Sequence, residues 1–425
     1  MKKIELLAPA GTVEKAKIAF LYGADAVYAG TSKLSLRTRA EMNNDTLEDT
    51  IKYAHSIGKK VYVAINIYAP DDEYDEIEKE VKHLNEVGAD AIIASDVGVI
   101  DTIHKIAPNM PIHISTQANT VSAHAAAFWQ KFGAKRIILA RELSKDKIQE
   151  LIKNKPKDIE TEIFIHGAIC YAYSGRCYMS KYLANRSANL GDCAQPCRWK
   201  YNFYAVENNN PSHMMNLDFD EKGTYLFSSK DFCLIKQIPT IIDMGVDSLK
   251  IEGRLKTEYY VATIVRTYRQ AIDDYYRLLE QNRPDEYDYT KYFKELLKVK
   301  TRGLSEFYFS DPNNQDIHDL DGQSENLDYE YAAKVIKKDE ENSDLTIVEI
   351  KNKLSIGDKL EILYPKTTKT NIFEIQKMCD IKTSNEIDTV NPGVKGQLVK
   401  IKIPFDDIKT GYIMRKKKVV KQDNK

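Results

Sequence analysis

Short apolar runs alternate with helical stretches eight times over roughly the first 250 residues, and few folds accommodate that rhythm. The runs are Ile4 to Leu7, Ala26 to Tyr28, Lys60 to Asn66, Ala91 to Ala94, Pro111 to Ser115, Arg136 to Leu139, Glu162 to Ile165 and Ser248 to Ile251. The spacing predicts a helix over Val13 to Tyr22 between the first two. Several runs follow a helix-stop glycine, as in Gly23-Ala24, Gly88-Ala89, Gly133-Ala134 and Gly245-Val246. Near-continuous apolar strands are those of a parallel sheet covered on both faces. Eight such units predict an α/β fold, a closed (β/α)8 TIM-type barrel. The alternative is a doubly wound open sheet. The eightfold count and the lack of a Gly-x-Gly-x-x-Gly turn favour the barrel.

The seventh and eighth runs lie about 80 residues apart, where roughly 30 suffice for a strand–helix–strand unit. The excess, about residues 167–244, is expected as an insertion on the C-terminal rim, where barrels keep their chemistry. Within it, Glu207 to Ser212 reads as a loop. Apolar positions Val261, Ile264, Val265, Tyr268 and Ile272 predict a long helix over 258–279, and the polar stretch 311–326 reads as a linker. Beyond it the pattern switches to strands at Leu345 to Ile350, Lys359 to Leu363, Asn371 to Ile375 and Gln397 to Ile403. Two domains follow: a catalytic barrel over 1–325 and a small antiparallel β-barrel over 326–425. The second ends in a basic tail, Arg415 to Lys418, expected to be solvated, with docking of nucleic acid as the alternative reading.

Formal net charge is −1, with +4 after residue 325 and −5 before it, so charge alone points only weakly to nucleic acid. No apolar run approaches the roughly 18 residues of a membrane span, and the N-terminus meets Glu5 at once. The chain reads as a cytoplasmic protein without a membrane partner. Six cysteines are too few for a disulfide scaffold, and four of them fall within 28 residues.

Those four are Cys170-x6-Cys177-x15-Cys193-x3-Cys197. Thiolates from one compact segment suit an iron–sulfur cluster. They also suit a structural zinc ion, although zinc sites favour tight Cys-x2-Cys pairs that are missing here. A third reading makes Cys170 a nucleophile with His166 as its base, which leaves three cysteines idle. Cys233 is a possible fifth ligand, although it opens an apolar stretch and reads, like Cys379, as a buried thiol.

Polar residues at strand ends are the other candidates: Asn66, Asp96, Ser115, Gln117, Arg141, Glu142, His166, Glu252 and Arg254, with His113 inside the fifth strand. Arg141 and Arg254 suit a small dianion, with Gln117 and His113 as further substrate-binding candidates. Alternatively the arginines form a structural network with Glu142 and Glu252. His166 and Glu252 are the candidate catalytic pair, although a hydrogen-bonded core histidine reads equally well. Glu5 is placed to point into the barrel and anchor an ionic network.

These residues sit in a recognisable set of motifs. Glu5 to Gly11, Gly23 to Tyr28, His113 to Gln117, Ala140-Arg141-Glu142, His166 to Cys177, Cys193 to Trp199, Lys250 to Arg254 and the Asn391-Pro392-Gly393 turn together resemble the U32 peptidase family over nearly the whole chain. Within it the chain is most similar to the prephenate-dependent tRNA uridine hydroxylases. The resemblance implies a 4Fe–4S cluster on Cys170, Cys177, Cys193 and Cys197. It also implies prephenate as co-substrate, tRNA as partner and 5-hydroxyuridine at the wobble position as product. Relatives that hydroxylate ribosomal RNA cytidine or assist ubiquinone hydroxylation share this core. The remaining readings are a collagenase-like peptidase and a non-catalytic RNA-binding protein with a structural metal. The peptidase name finds no His-Glu-x-x-His or Gly-x-Ser-x-Gly in the chain.

Overall fold

The computed structural model describes residues 3–31, 34–35, 42–207, 210–217, 227–319, 328–393 and 396–418. The chain forms two compact units. The first comprises Met1–Ala16, Asp25–Leu255 and Thr301–Glu325; the second comprises Lys17–Ala24, Lys256–Lys300 and Asn326–Lys425. No helix of the described residues is long and apolar enough to cross a membrane.

In the first unit eight parallel strands run Glu5–Pro9, Ala26–Gly30, Lys60–Ala64, Ala91–Ala94, Ile112–Ile114, Ala134–Ile138, Glu160–Ala168 and Ser248–Ile251. Each pairs with its predecessor, and the eighth also pairs with the first, matching Glu5 with Ser248 and Ser248 with Glu162. That closure makes a barrel and excludes the open sheet. Several helices that follow the strands start on side-chain caps, which satisfy their first free N–H groups. Asp96, expected as a strand-end candidate, is one of these caps. Its carboxylate accepts from the N–H groups of Gly98 (2.8 Å) and Val99 (3.1 Å).

The insertion carries a hairpin of Phe203–Glu207 and Asn210–Leu217, so Pro211 and Ser212 belong to a strand and not to the expected loop; residues 208–209 lie outside the described residues. Asp231–Cys233 then runs antiparallel to the seventh barrel strand. The expected linker is partly paired structure. Lys230 N–H donates to Ile317 O (3.0 Å) and Asp319 N–H to Ser228 O (2.7 Å), while 320–326, including the expected domain boundary, lie outside the described residues.

In the second unit the long helix runs Glu258–Glu280, opened by the Thr257 side chain accepting from Tyr260 N–H. The sequence boundary at 325 placed this helix with the barrel, whereas it falls in the unit of the C-terminal strands. Those strands form a seven-stranded sheet in the order Thr370–Glu374, Lys359–Leu363, Ile413–Lys417, Tyr329–Lys338, Leu345–Ile350, Leu398–Lys402, Met378–Asp380, with antiparallel neighbours. Val348, Leu360, Ile362, Val399, Ile401 and Met414 fill its core.

The basic tail needs correction. Ile413–Lys417 is a strand inside this sheet, and Arg415 is fully buried. Its guanidinium holds Glu361 at 2.8 Å and Glu295 at 2.6 Å, and Arg266 pairs with the same Glu295. Lys416 is tied to Asp358 at 2.9 Å. A charged run reads as solvated when its strand periodicity is overlooked; alternate residues of a strand face opposite sides.

Candidate active site

The two-residue strand period sorts the barrel interior into layers. In the lower layer are Glu5, Tyr62, His113, Arg136, Glu162 and Ser248. Arg136 Nη1 lies 2.5 Å from Glu5 and 3.1 Å from Glu162. Tyr62 OH donates to Glu5 (2.7 Å), and Ser248 Oγ donates to Glu5 (2.9 Å) and Glu162 (3.1 Å). Glu5 thus anchors an ionic network inside the barrel. His113 packs edge-on against the Tyr62 ring, with centroids 4.6 Å apart. Burial, with Arg136 and Lys250 adding to it, holds this imidazole well below its ordinary 6.5 and therefore neutral.

One pleat step toward the C-terminal ends, Tyr28, Ala64, Ile93, Ser115, Ile138, Phe164 and Lys250 floor a cavity of about 130 Å³. Lys250 Nζ lies 3.1 Å from Glu162 and joins the two layers. It stands 4.2 Å from the Tyr28 ring centroid and 5.6 Å from that of Phe164. Burial pulls its pKa below the ordinary lysine value, against the pull of Glu162. Arg141 lies over the other part of Phe164's surroundings, its guanidinium carbon 5.1 Å from the centroid. Glu252 accepts from Tyr28 OH at 3.0 Å. Arg254 donates to Ser35 Oγ at 3.2 Å. Arg254 passes directly over Gly30, where an added Cβ would stand 2.0 Å from its Nη1.

The insertion roofs this cavity, and barrel residues hold it there. Glu142 accepts from both the N–H and the hydroxyl of Ser174, each at 2.6 Å. Arg176 Nε donates to Gln117 O (3.0 Å) and to Tyr68 OH (2.7 Å). Within the roof, Cys177 N–H reaches Asn189 (3.3 Å), Ala194 N–H reaches Ser180 (3.0 Å) and Arg198 Nη2 reaches Ile169 O (3.2 Å). Gln195 takes up left-handed backbone geometry (φ 58°) and turns its N–H onto Cys193 Sγ at 3.4 Å.

All four clustered cysteines line the cavity, in free and half-buried form. Burial pushes the Cys197 thiol up; Arg198 pulls it down, and the charges of Cys170, Cys193 and Cys177 raise it again. Among the described residues, no group of three or more His, Cys, Asp or Glu side chains is gathered closely enough to hold a metal ion. The donor set itself, four thiols facing one cavity with an N–H already directed at one sulfur, fits a thiophilic metal or cluster.

Of the sequence candidates, Asn66, Ser115, Gln117, Arg141, Glu252 and Arg254 join the four cysteines around the cavity. His113 lies one layer beneath it. His166 is buried, and its carbonyl accepts from Glu252 N–H at 2.8 Å; it does not line the cavity. Glu142 serves as an anchor of the roof. Cys233 is buried beside the seventh strand and Cys379 in the second unit. Sequence reasoning missed Lys250, Phe164 and Tyr28. The signal for Lys250 was a lysine between Leu249 and Ile251 in an otherwise apolar run.

Fold and site together define a (β/α)8-barrel protein with a thiol-lined, cation-bearing cavity at its C-terminal mouth. The model described as peptidase family U32 matches residues 11–319, and that of the U32 C-terminal domain matches 328–415. The chain belongs to peptidase family U32. It is 36% identical to tRNA hydroxylation protein P of Escherichia coli, over 98% of this chain and 97% of that one. It is 37% identical to a 23S rRNA 5-hydroxycytidine synthase of Escherichia coli, over 64% of this chain and 39% of that one. It is also 32% identical to a protein named collagenase from Porphyromonas gingivalis, over 94% of both.

Proposed function

We propose that this chain is an iron–sulfur enzyme that hydroxylates carbon 5 of the wobble uridine of tRNA and uses prephenate as co-substrate. One observation carries the reading: four thiols, three cations and one carboxylate face a single cavity at the catalytic end of the barrel. Similarity to a tRNA hydroxylation protein along nearly the whole chain supports RNA as the substrate class.

Cys170, Cys177, Cys193 and Cys197 would hold a 4Fe–4S cluster, which when bound supplies one-electron redox chemistry. The protein's own groups do the rest. Arg141, Lys250 and Arg254 offer charge to the two carboxylates of prephenate, and the Tyr28 and Phe164 rings offer apolar faces to its ring. Glu252, hydrogen-bonded to Tyr28 OH, is positioned to hold or take a proton at its carboxylate. Proteolysis through Cys170 and His166 is the weaker reading, because His166 does not share the cavity.

The test is nucleoside mass spectrometry of tRNA from a deletion strain carrying wild-type protein or Cys197→Ser, with and without a prephenate supply. The 5-hydroxyuridine family should return only with wild-type protein and prephenate. Wobble uridine left unmodified by wild-type protein overturns the assignment. Gelatin cleavage that persists after metal removal would establish the peptidase instead.

A further inference from the structure

The cysteine-bearing segment does more than roof the cavity. Among the described residues, the exposed aromatic side chains are Phe128, Tyr171, Tyr173, Tyr178, Tyr182, Trp199 and Tyr289, so five of the seven fall between 171 and 199. Tyr178 and Tyr182 are the most exposed, at 74% and 77%. Tyr182 N–H donates to Tyr178 O at 3.0 Å, so the two residues stand one helical turn apart, Tyr178 capping the helix Met179–Ala184 and Tyr182 within it. Between them, Met179 lines the cavity and Ser180 is buried.

The segment is also strongly basic. Residues 170–201 hold Arg176, Lys181, Arg186, Arg198 and Lys200 against one acid, Asp192, which Arg186 already neutralises at 2.5 Å. Exposed tyrosines interleaved with cations suit single-stranded nucleic acid, in which unstacked bases lie on rings and phosphates meet the charges. Duplex RNA hides its base faces and cannot use those rings.

We propose that Tyr178, Tyr182 and Trp199, with Lys181 and Lys200, form the surface on which a single-stranded RNA loop docks, stacking nucleotides beside the one that enters the cavity. This rests on the RNA reading above and replaces the basic C-terminal tail as the docking element.

The experiment uses the full-length protein and a fluorescent single-stranded oligoribonucleotide of mixed sequence, with the matching duplex as control, in anisotropy titrations at several salt concentrations. Wild type should prefer the single strand. Tyr178→Ala with Tyr182→Ala should weaken that binding about ten- to a hundredfold, and the Tyr→Phe pair should retain it. Lys181→Ala should lower the salt slope by about one, whereas the tyrosine changes leave it unchanged. Photo-crosslinking to a pyrimidine-substituted RNA should label residues within 171–199. Alanine variants that bind like wild type, or crosslinks elsewhere, overturn this surface while leaving hydroxylation intact. Patch-dependent self-association with unchanged RNA binding also overturns it, in favour of a second copy. Wild type that binds no RNA and restores no modified nucleoside overturns the underlying function as well.

Discussion

Glu142 grips Ser174 twice, accepting at 2.6 Å from its N–H and at 2.6 Å from its hydroxyl. Ser174 sits midway between Cys170 and Cys177 in left-handed backbone geometry (φ 43°). A carboxylate at the end of the sixth barrel strand therefore sets where two of the four thiols stand.

Hydrogen bonds to a charged group contribute about 1.5–3 kcal/mol each. Glu142→Ala should consequently free the 170–177 loop while the barrel stays folded. The expected outcome is a thermal midpoint within a few degrees of wild type, alkylation of Cys177 faster by about tenfold, and lower iron content after reconstitution. Unchanged alkylation would show that the Arg176 contacts to Gln117 and Tyr68 hold the loop without it.

Lys250 and Glu162 form a buried pair, and loss of the lysine leaves the Glu162 carboxylate with Arg136 and Ser248 alone to balance it. Lys250→Met should destabilise the first unit by about 3 kcal/mol in denaturant titration. Adding Glu162→Gln should recover much of that loss, although Arg136 then loses one of its acceptors. A double variant no better than the single would mean that the cation matters through its contacts with Tyr28 and Phe164 instead.

Gly30→Ala puts a methyl group where Arg254 now passes. The guanidinium is the end of a flexible side chain and can move, whereas Ser35, whose Oγ would stand 2.3 Å and whose Cβ would stand 2.9 Å from the new methyl, must shift as well. Anion recognition should suffer: the KM for the proposed acidic co-substrate should rise about tenfold in protein that remains folded. Arg254→Lys should resemble it, and a fall in kcat alone would argue against an anion-binding role.

The second unit should loosen in acid. Burial works against ionisation of Glu295, but Arg266 and Arg415 outweigh it and bring its pKa from 4.5 to about 2. A depressed carboxylate pKa contributes stability that is whole above about 4.5 and disappears as pH falls toward 2. The contribution is about 3 kcal/mol at most. Hydrogen exchange in the helix Glu258–Glu280 should accelerate across that window. Glu295→Gln should accelerate it at neutral pH and flatten the acid dependence.

The sequence made some of this legible and concealed the rest for physical reasons. Strands buried on both faces leave unbroken apolar runs, so all eight barrel strands were readable, as were the helix-stop glycines between them. The four cysteines announced themselves by density, and Arg141, Gln117, Glu252 and Arg254 by their places at strand ends. Lys250 escaped because a lone charge inside an apolar strand looks like a blemish until its partner, Glu162, is known. Those two residues are 88 positions apart, and the pairing of the seventh strand with the eighth brings them together. Arg415 escaped because three lysines follow it, and the run as a whole looks solvated. Asp96 was over-read: an acid between a strand and a helix is first of all a cap.

The eighth strand closes the barrel, joining Ser248 to Glu5 of the first strand on one side and to Glu162 of the seventh on the other. It also brings Lys250, Glu252 and Arg254, whereas the thiols arrive on the separate stretch before it. Translation therefore delivers the thiols before Lys250, Glu252 and Arg254, and Arg141 alone of the pocket's three cations is made ahead of the sulfur ligands. A chain stopped short of the eighth strand would carry every cysteine of the cavity, one of its cations and no closed barrel.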